Sequence, residues 1–396
     1  MMQISPETQL FIREHSSDDV RVLALQAKKY PDIDMPTAIT QIAGRKVAAE
    51  KIPSWWEIEK IWYPKHLSLE QCSSEITARY KARLLQGDSL TDLTGGFGID
   101  CSFLATGFKS TTYVERQEEL CEIAAHNFPV LNLNHINIKN EDGVTYLQVM
   151  SPVDCLFLDP ARRNEHGGKT VAISDCEPNV AELEELLLQK ANRVMIKLSP
   201  MLDLSLALKE LKQTQEVHIL SVNNECKELL ILLGQTSPAE ISIHCVNLFT
   251  KGTQKEQHFV FTREQEQCSE CTYTDSLETY LYEPNASLLK AGAFRSIAAA
   301  YPVRKLHPNS HLYTSDTFIE NFPGRIFRIV NQCSFNKKEV KENLADLKKA
   351  NVTVRNFPAT VAELRKRIHL AEGGDTYLFA STLNNGQKVL IRCEKV

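Results

Sequence analysis

Between Ser89 and Thr262 the chain alternates short apolar runs with helical stretches, and this alternation restricts the possible fold more than any other feature. Candidate strands span 89–93, 110–115, 136–140, 155–159, 193–198, 216–222, 241–246 and 258–262. Helical stretches, such as 117–127 and 180–190, lie between most of them. A βαβ alternation demands a mostly parallel sheet covered on both faces, because each crossover helix must bury one apolar face against it. The last two strands lie close together, as in a sheet that closes with an antiparallel hairpin.

The flanks read differently. Residues 7–85 are helical in texture, with Leu10, Phe11, Val20, Val22, Leu23, Leu25 and Ala27 clustered at helical spacing and Pro31 and Pro36 as punctuation. A second helical stretch covers 38–49, and a Pro/Trp-rich connection covers 53–64. Residues 68–85 are expected to form one helix, with Ser68 as N-cap and Gly87 at its C′ position. Past the sheet, 264–280 reads as a polar linker carrying Cys268-Ser-Glu-Cys271, and 287–300 as a helix. The remainder reads as strand 324–330, Lys-rich helix 336–350, strand 352–356, helix 360–370, and a hairpin of 376–381 with 388–392 around Asn384-Asn385-Gly386. That is β-α-β-α-β-β, a small α+β domain. The expected division is therefore 1–85, 86–264, 265–323 and 324–396.

Composition narrows the class. At 396 residues, 43% hydrophobic and 24% charged, the chain has the profile of a folded protein of two or three domains. No apolar run approaches the roughly 18 residues of a membrane span, and Met1-Met2-Gln3-Ile4-Ser5-Pro6 lacks the pattern of a secretory signal. The 11 cysteines are dispersed and odd in number, which suggests reduced thiols and a cytoplasmic location. A single CxxC with no second ligand pair predicts no metal site. The net charge of −5 conceals an asymmetry: 325–396 holds 14 Lys+Arg against 7 Asp+Glu. Such a segment suits an anionic partner, although solvated Lys-rich helices would give the same count.

The first strand runs into Asp92-Leu-Thr94-Gly95-Gly96-Phe-Gly98-Ile-Asp100 and then a helix. Glycines belong where a ligand approaches backbone, and open α/β sheets bind ligands at the carboxyl ends of their strands. The dinucleotide pattern G-x-G-x-x-G would place Gly or Ala at 101, where the chain has Cys101. Asp92 and Asp100 would repel a diphosphate and suit a ligand with cationic groups. Glu115, followed by Arg116, ends the second strand, where a carboxylate can accept both hydroxyls of a ribose. Asp142, after the third strand, could accept from an adenine amino group. Each acid could instead be a helix cap or a surface charge.

With the strand end Asp159-Pro160-Ala161-Arg162, these residues resemble the class I S-adenosylmethionine-dependent methyltransferases over about residues 68–262. More narrowly, the chain is similar to a bacterial family that joins a helical N-terminal region, this core and a C-terminal THUMP-like domain. That likeness rests on Leu69-Glu-Gln-Cys-Ser-Ser-Glu-Ile-Thr-Ala-Arg-Tyr-Lys81, Asp159-Pro-Ala-Arg-Arg163, Lys197-Leu-Ser-Pro-Met-Leu-Asp203 and Gly324-Arg-Ile-Phe-Arg328. The resemblance implies a Rossmann-like seven-stranded α/β sheet of order 3-2-1-4-5-7-6, followed by a ferredoxin-like region and a THUMP-like domain. It implies S-adenosylmethionine as cofactor, held by Asp92, Thr94, Gly96, Gly98, Asp100, Glu115, Arg116 and Asp142. It also implies an RNA partner, tRNA or rRNA, for the basic C-terminal domain. Gln71, Ser73 or Ser74 would line the methionine end.

The strand end Asp159-Pro160 is similar to the (N/D)-P-P-(Y/F) motif of enzymes that methylate base nitrogens. There the acid and the proline carbonyl accept from the target amine and orient its lone pair, which is catalysis by positioning. Ala161 and Arg162 depart from the motif and remove its stacking ring. Arg162 or Arg163 could stack on a base or bind phosphate, or Arg162 could pair with Glu165 or Asp175. The expected catalytic set is Asp159, Pro160 and Arg162. Residues 164–169 could form a lid, with His166 as a surface residue. Lys197-Leu-Ser-Pro200 ends the next strand and could face the same cleft, and Cys226 reads as a neutral thiol. The rival readings are an RNA-binding protein with a non-catalytic core and a nicotinamide-dependent oxidoreductase.

Overall fold

The computed structural model describes residues 4–162 and 172–396, without the side chains of His66 and Arg162. The chain forms two compact units, Met1–Gln215 with Leu229–Pro238, and Glu216–Glu228 with Ala239–Val396.

The first unit opens with α1 (Pro6–Glu14), α2 (Val20–Leu25) and α3 (Met35–Lys51), which bury Phe11, Leu23, Met35, Ala38 and Ile42 together. The short α4 (Pro53–Trp56) follows, then α5 (His66–Gln71) and α6 (Glu75–Ala82). The single helix expected over 68–85 is thus two. Cys72 and Ser74 are extended, and Ser73 between them is buried with its hydroxyl on Asp100. A serine that bonds across the fold competes with helical backbone bonding, and here the interior bond wins. Ser68 lies inside α5 rather than at its cap, and Gly87 lies beyond the end of α6. A Cβ on Gly87 would stand 2.6 Å from the Asp154 Cβ, so that glycine serves close packing.

The strands that follow are β1 (Ser89–Asp92), β2 (Ser110–Glu115), β3 (Ile136–Asn140), β4 (Val153–Leu158), β5 (Ala191–Leu198), β6 (Thr214–Val222) and β7 (Glu225–Gly234). In the first unit the order is β3-β2-β1-β4-β5-β7, parallel throughout except that β7 runs antiparallel to β5. This is a Rossmann-like α/β arrangement, with the order expected for these six strands. Helices α7 (Ile99–Ala105), α8 (Glu118–Val130), α9 (Gly143–Val149), α10 (Val180–Lys190) and α11 (Leu204–Glu210) provide the crossovers. Cys155 to Leu158 of β4 and Val194 to Leu198 of β5 are buried on both faces, as central parallel strands must be.

β7 has no counterpart among the expected strands. Its run Glu228-Leu-Leu-Ile-Leu-Leu-Gly234 is wholly buried. Asn223 and Asn224 before it both take positive φ, as a two-residue hairpin turn requires.

In the second unit β6 pairs parallel with β8 (Ser242–Leu248), which pairs antiparallel with β9 (Glu256–Thr262). The expected polar linker begins as a helix, α12 (Arg263–Cys268), opened by a Thr262/Gln265 capping box. The helix expected over 287–300 is split into α13 (Ala286–Ala291) and α14 (Ser296–Ala300) by Gly292, which takes a left-handed cap at φ 79°. A second sheet holds β10 (Tyr280–Pro284), β11 (Arg304–Lys305), β12 (Tyr313–Ser315), β13 (Gly324–Ser334), β14 (Asn351–Val354), β15 (Thr376–Thr382) and β16 (Lys388–Lys395). Its order is β11-β12-β10-β13-β16-β15-β14. Helices α15 (Lys337–Leu344) and α16 (Val361–Ile368) bury Leu344 and Leu364 with Leu378 and Leu390 of this sheet. The chain order from β13 to β16 is the expected β-α-β-α-β-β, although the Lys-rich helix stops at Leu344. Among the described residues no helix is long and apolar enough to cross a membrane.

Gly143, the first residue of α9, ties that helix to the loop after β1. A Cβ there would lie 2.1 Å from the Leu93 carbonyl oxygen, a backbone atom that cannot swing aside. Gly143→Ala is expected to lower the unfolding free energy by about 1–3 kcal/mol, the usual cost of forcing atoms into a packed site. Urea unfolding of the variant checks this; unchanged stability would mean the two segments are not held in this contact.

Candidate active site

Parallel register brings the carboxyl ends of the strands together. Asp92 lies beside Tyr113 of β2 and Phe157 of β4, and Glu115 beside Asn140 of β3. The loop after Asp92 folds across these ends. Leu93 N–H donates to the Phe157 carbonyl and Gly95 N–H to the Val114 carbonyl. Gly96 and Gly98 take positive φ, 55° and 84°. Gly95 packs so closely on Tyr113 that a Cβ would lie 2.2 Å from its ring. The Tyr113 hydroxyl donates to the Gly96 carbonyl at 2.5 Å.

Glu115 helps to build this loop. Its Oε2 accepts from Gly96 N–H and its Oε1 from Gln117 N–H, both at 2.8 Å. Each carboxylate oxygen keeps a second lone pair for a ligand. Thr94 links two strands: its N–H donates to Asp92 Oδ1 at 3.0 Å, and its hydroxyl accepts from Asp159 N–H at 2.6 Å.

The charged centre is made from four elements. Asp100, in the first turn of α7, accepts from the Ser73 hydroxyl at 2.7 Å. It pairs with Lys81 of α6 at 3.0 Å and with Lys197 of β5 at 3.4 Å. Lys81 is fully buried and also donates to Ser73. Lys197 pairs with Asp159 at 2.5 Å. Burial alone would raise the Asp100 pKa, but Lys81 and Lys197 outweigh it and hold the carboxyl below its ordinary value.

Asp92 has no such cation. Burial pushes its pKa up to about 8, and the charges of Asp100, Asp159 and Glu115 push the same way, against the Thr94 N–H. Its Oδ2 is buried without a hydrogen-bond partner among the described residues.

The other expected residues are placed less centrally. Asp142 is the N-cap of α9, its Oδ1 accepting from Val144 and Thr145 N–H. Arg116 is exposed and lies 3.5 Å from Glu177. Pro160 is buried, and Arg162 ends a two-residue ribbon with Cys176–Glu177, its side chain outside the described residues. Arg163, Glu165, His166 and the expected 164–169 lid lie outside them as well. Cys226 is held as a neutral thiol, burial pushing it up to about 11. Cys268 is exposed and Cys271 half-buried.

Sequence reasoning gave Lys81 no role. The available clue was charge: Asp92, Glu115 and Asp159 at strand ends, with Asp100 at the start of α7, need cations nearby. Lys197, expected at a strand end, pairs with Asp159 and Asp100.

An open glycine cradle, an unpartnered buried carboxylate oxygen and a carboxylate with spare lone pairs fit a ligand that carries both cationic groups and a ribose. Family models match a ferredoxin-like domain at residues 280–323 and a THUMP domain-like region at 324–395. A crystal structure from Porphyromonas gingivalis W83, designated a methyltransferase with no substrate stated, is 34% identical, covers 100% of both chains and gives a TM-score of 0.88. An rRNA methylase of Streptococcus thermophilus is 14% identical, covering 40% of this chain and 93% of its own at a TM-score of 0.30. A Vibrio vulnificus YJ016 protein, designated the modification subunit of a type I restriction enzyme, is 12% identical over 51% of this chain and 56% of its own, at 0.35. These last two likenesses are too low to bear an argument. No protein of curated function matches.

Asp92 gives the site a pH signature. In the folded chain it keeps its proton up to about pH 8, whereas unfolded it loses it near pH 4. The folded state therefore binds more protons in that window, and stability falls as pH rises, by up to about 1.4 kcal/mol per pH unit from this group. Asp92→Asn removes the dependence. Urea unfolding between pH 5 and 8 should show the variant gaining on the wild type as pH rises; a constant difference would mean that Asp92 is ionised when folded.

Proposed function

Because this chain belongs to the family of the P. gingivalis methyltransferase, with a Rossmann-like core followed by ferredoxin-like and THUMP-like regions, we propose that it methylates a base nitrogen of RNA, tRNA or rRNA, with S-adenosylmethionine as donor. The observation that carries the donor is Asp92, a buried acid whose free oxygen awaits a cation. We assign the donor site to the core at 86–264 and RNA capture to 324–396, with 1–85 and 265–323 as supporting regions.

In this reading Gly96 and Gly98 let the loop backbone approach the donor, with Thr94 and Asp100 fixing the loop's two ends. Asp92 and Asp100 provide the negative field for the ammonium and sulfonium groups. Glu115 accepts from the ribose hydroxyls while keeping its bonds to Gly96 and Gln117. Asp142 uses Oδ1 as a helix cap and offers Oδ2 to the adenine amino group. Arg116 edges the same end. The donor supplies a methyl group on a cationic sulfur.

Asp159 and the Pro160 carbonyl accept from the target amine and aim its lone pair. The Lys197 ammonium on Asp159 Oδ2 leaves Oδ1 for the amine. In this arrangement Asp159 orients the amine, which can lose its proton after transfer. Arg162 takes the base or its phosphate. The second reading, an RNA-binding protein with a non-catalytic core, draws on Ala161 in place of the motif's second proline. Donor binding without methyl incorporation into any cellular RNA would favour it.

Calorimetry tests the donor site. The folded wild type should bind S-adenosylmethionine and release a proton from Asp92 at pH 7, detected as a buffer-dependent enthalpy. Glu115→Gln should weaken binding about tenfold or more, the worth of a charged hydrogen bond. Asp159→Asn should bind within a few-fold of wild type and slow transfer about a hundredfold, as lost orientation does. Absence of binding by folded wild type would overturn the donor assignment.

The RNA proposal concerns the lysines of the C-terminal domain. Arg325 and Arg355 both pair with buried Glu283, Arg392 with Asp346 and Arg328 with Glu394, so these arginines are engaged within the unit. Lys338, Lys348, Lys349 and Lys366 are exposed on or beside α15 and α16. Reversing all four to Glu should weaken RNA binding and flatten its salt dependence, by about 0.7 in logarithmic slope per lost contact. Unchanged affinity would remove this domain as the RNA reader.

A further inference from the structure

Three histidines far apart in sequence meet on one face of the second unit. On β6 and β8, Glu216 lies opposite Ser242 and His218 directly opposite His244. On β8 and β9, His244 lies opposite Val260, and His258 opposite Val246, one diagonal away. Side chains two apart on a strand share a face, so Glu216, His218, His244 and His258 all project from the same side. Val217, Ile219, Ile243 and Cys245 fill the other side and are buried.

We propose that Glu216, His218 and His244 bind a divalent transition ion of the zinc class. One ligand atom of each lies within 4.8 Å of the others. Glu216 Oε2 and His218 Nε2 are 3.2 Å apart. Zinc holds nitrogen and oxygen ligands at about 2.0–2.2 Å, so two ligands on a tetrahedral edge stand about 3.3 Å apart. That pair is already at the right separation. The His244 ring stacks on His218 at 4.3 Å between centroids and 15° between planes. Coordination therefore requires the His244 ring to turn about its Cβ–Cγ bond until a lone pair points at the shared centre. His244 is only half-buried, so the turn is open to it.

His258 supplies the outer hydrogen bond such sites use. Its Nε2 is 3.2 Å from His244 Nδ1 in the present ring position, a neighbour within reach of the His244 nitrogen left off the metal once the ring has turned. Two imidazoles and one carboxylate select zinc, cobalt, nickel or copper over magnesium or calcium, which want oxygen alone. A water would complete the set at the fourth position, as in open zinc sites. This site is separate from the cysteine pair Cys268 and Cys271, from which no metal site was expected.

The test uses full-length protein stripped with a chelator and titrated with Co²⁺, then Zn²⁺. One equivalent of Co²⁺ should bind with visible d–d absorption and without the near-ultraviolet band of a cobalt–thiolate bond. Zn²⁺ should displace it. His218→Ala and His244→Ala should each weaken Zn²⁺ binding more than about a hundredfold. His258→Ala should weaken it about tenfold, as loss of an outer hydrogen bond does. Cys268→Ser with Cys271→Ser should leave binding unchanged. Circular dichroism verifies that each variant is folded, and the wild-type titration stands independently of them. No binding by the wild type, thiolate absorption lost in the cysteine variant, or affinity unaffected by the histidine variants would each overturn the site.

Discussion

The cluster of buried Lys81, Asp100, Ser73 and Lys197, with the more exposed Asp159 at its edge, is the interaction on which the candidate site depends. Its members come from α6, α7, the break before α6, β5 and the end of β4. No two neighbouring elements could make it alone. Burying such charges gains little net stability, because desolvation roughly cancels their attraction, whereas removing one partner costs about 3–5 kcal/mol. The cluster is therefore better understood as a positioning device than as a source of stability. It fixes α6 against the start of α7, and with it the glycine loop that precedes α7. The N-terminal helices are in this sense part of the site, since they deliver Lys81 and Ser73 to it.

Charge balance then explains Asp92. The two lysines answer Asp100 and Asp159, and Asp92 remains as a third acid with no cation of its own. Burial keeps it protonated near neutrality. A cationic ligand would supply the missing partner and draw off the proton, so ligand charge and the state of Asp92 are linked. Glu115 has a second kind of double duty. By accepting from Gly96 N–H it holds the loop in shape, and by its remaining lone pairs it can bind what the loop encloses. Loss of Glu115 would thus disturb the cradle as well as one contact.

The order of strands and the acids at their ends were legible because a buried apolar run that stops at a carboxylate is a local pattern. Asp92, Glu115 and Asp159 each end or follow such a run. Lys81 was not legible, because a lysine in a short amphipathic helix looks like a solvated charge until the helix is packed. β7 escaped for a related reason: Glu225-Cys-Lys-Glu228 opens it with a polar stretch, and Leu229 to Leu233 shows no alternation because both its faces are buried. The cluster of His218, His244 and His258 depends on register across three strands, which no spacing along the chain reveals. Helix 68–85 was misread because Ser73 answers to a residue 27 positions away rather than to its own helix.

The basic C-terminal segment shows how far a charge count can mislead. Fourteen basic residues suggest an electrostatic surface, yet Arg325 and Arg355 are drawn together by Glu283, which is almost fully buried. A guanidinium so engaged supports the fold and has little left for phosphate. What remains outward is mostly lysine, a point charge that attracts a backbone without reading bases. In the proposed reading, RNA captured there has its sequence discriminated elsewhere, at the strand end of Asp159 where the reacting base would enter. Ala161 leaves that strand end without the ring that would stack on the base. In the proposed reading, selection of the target then falls to the strand end beside Pro160 rather than to the basic domain.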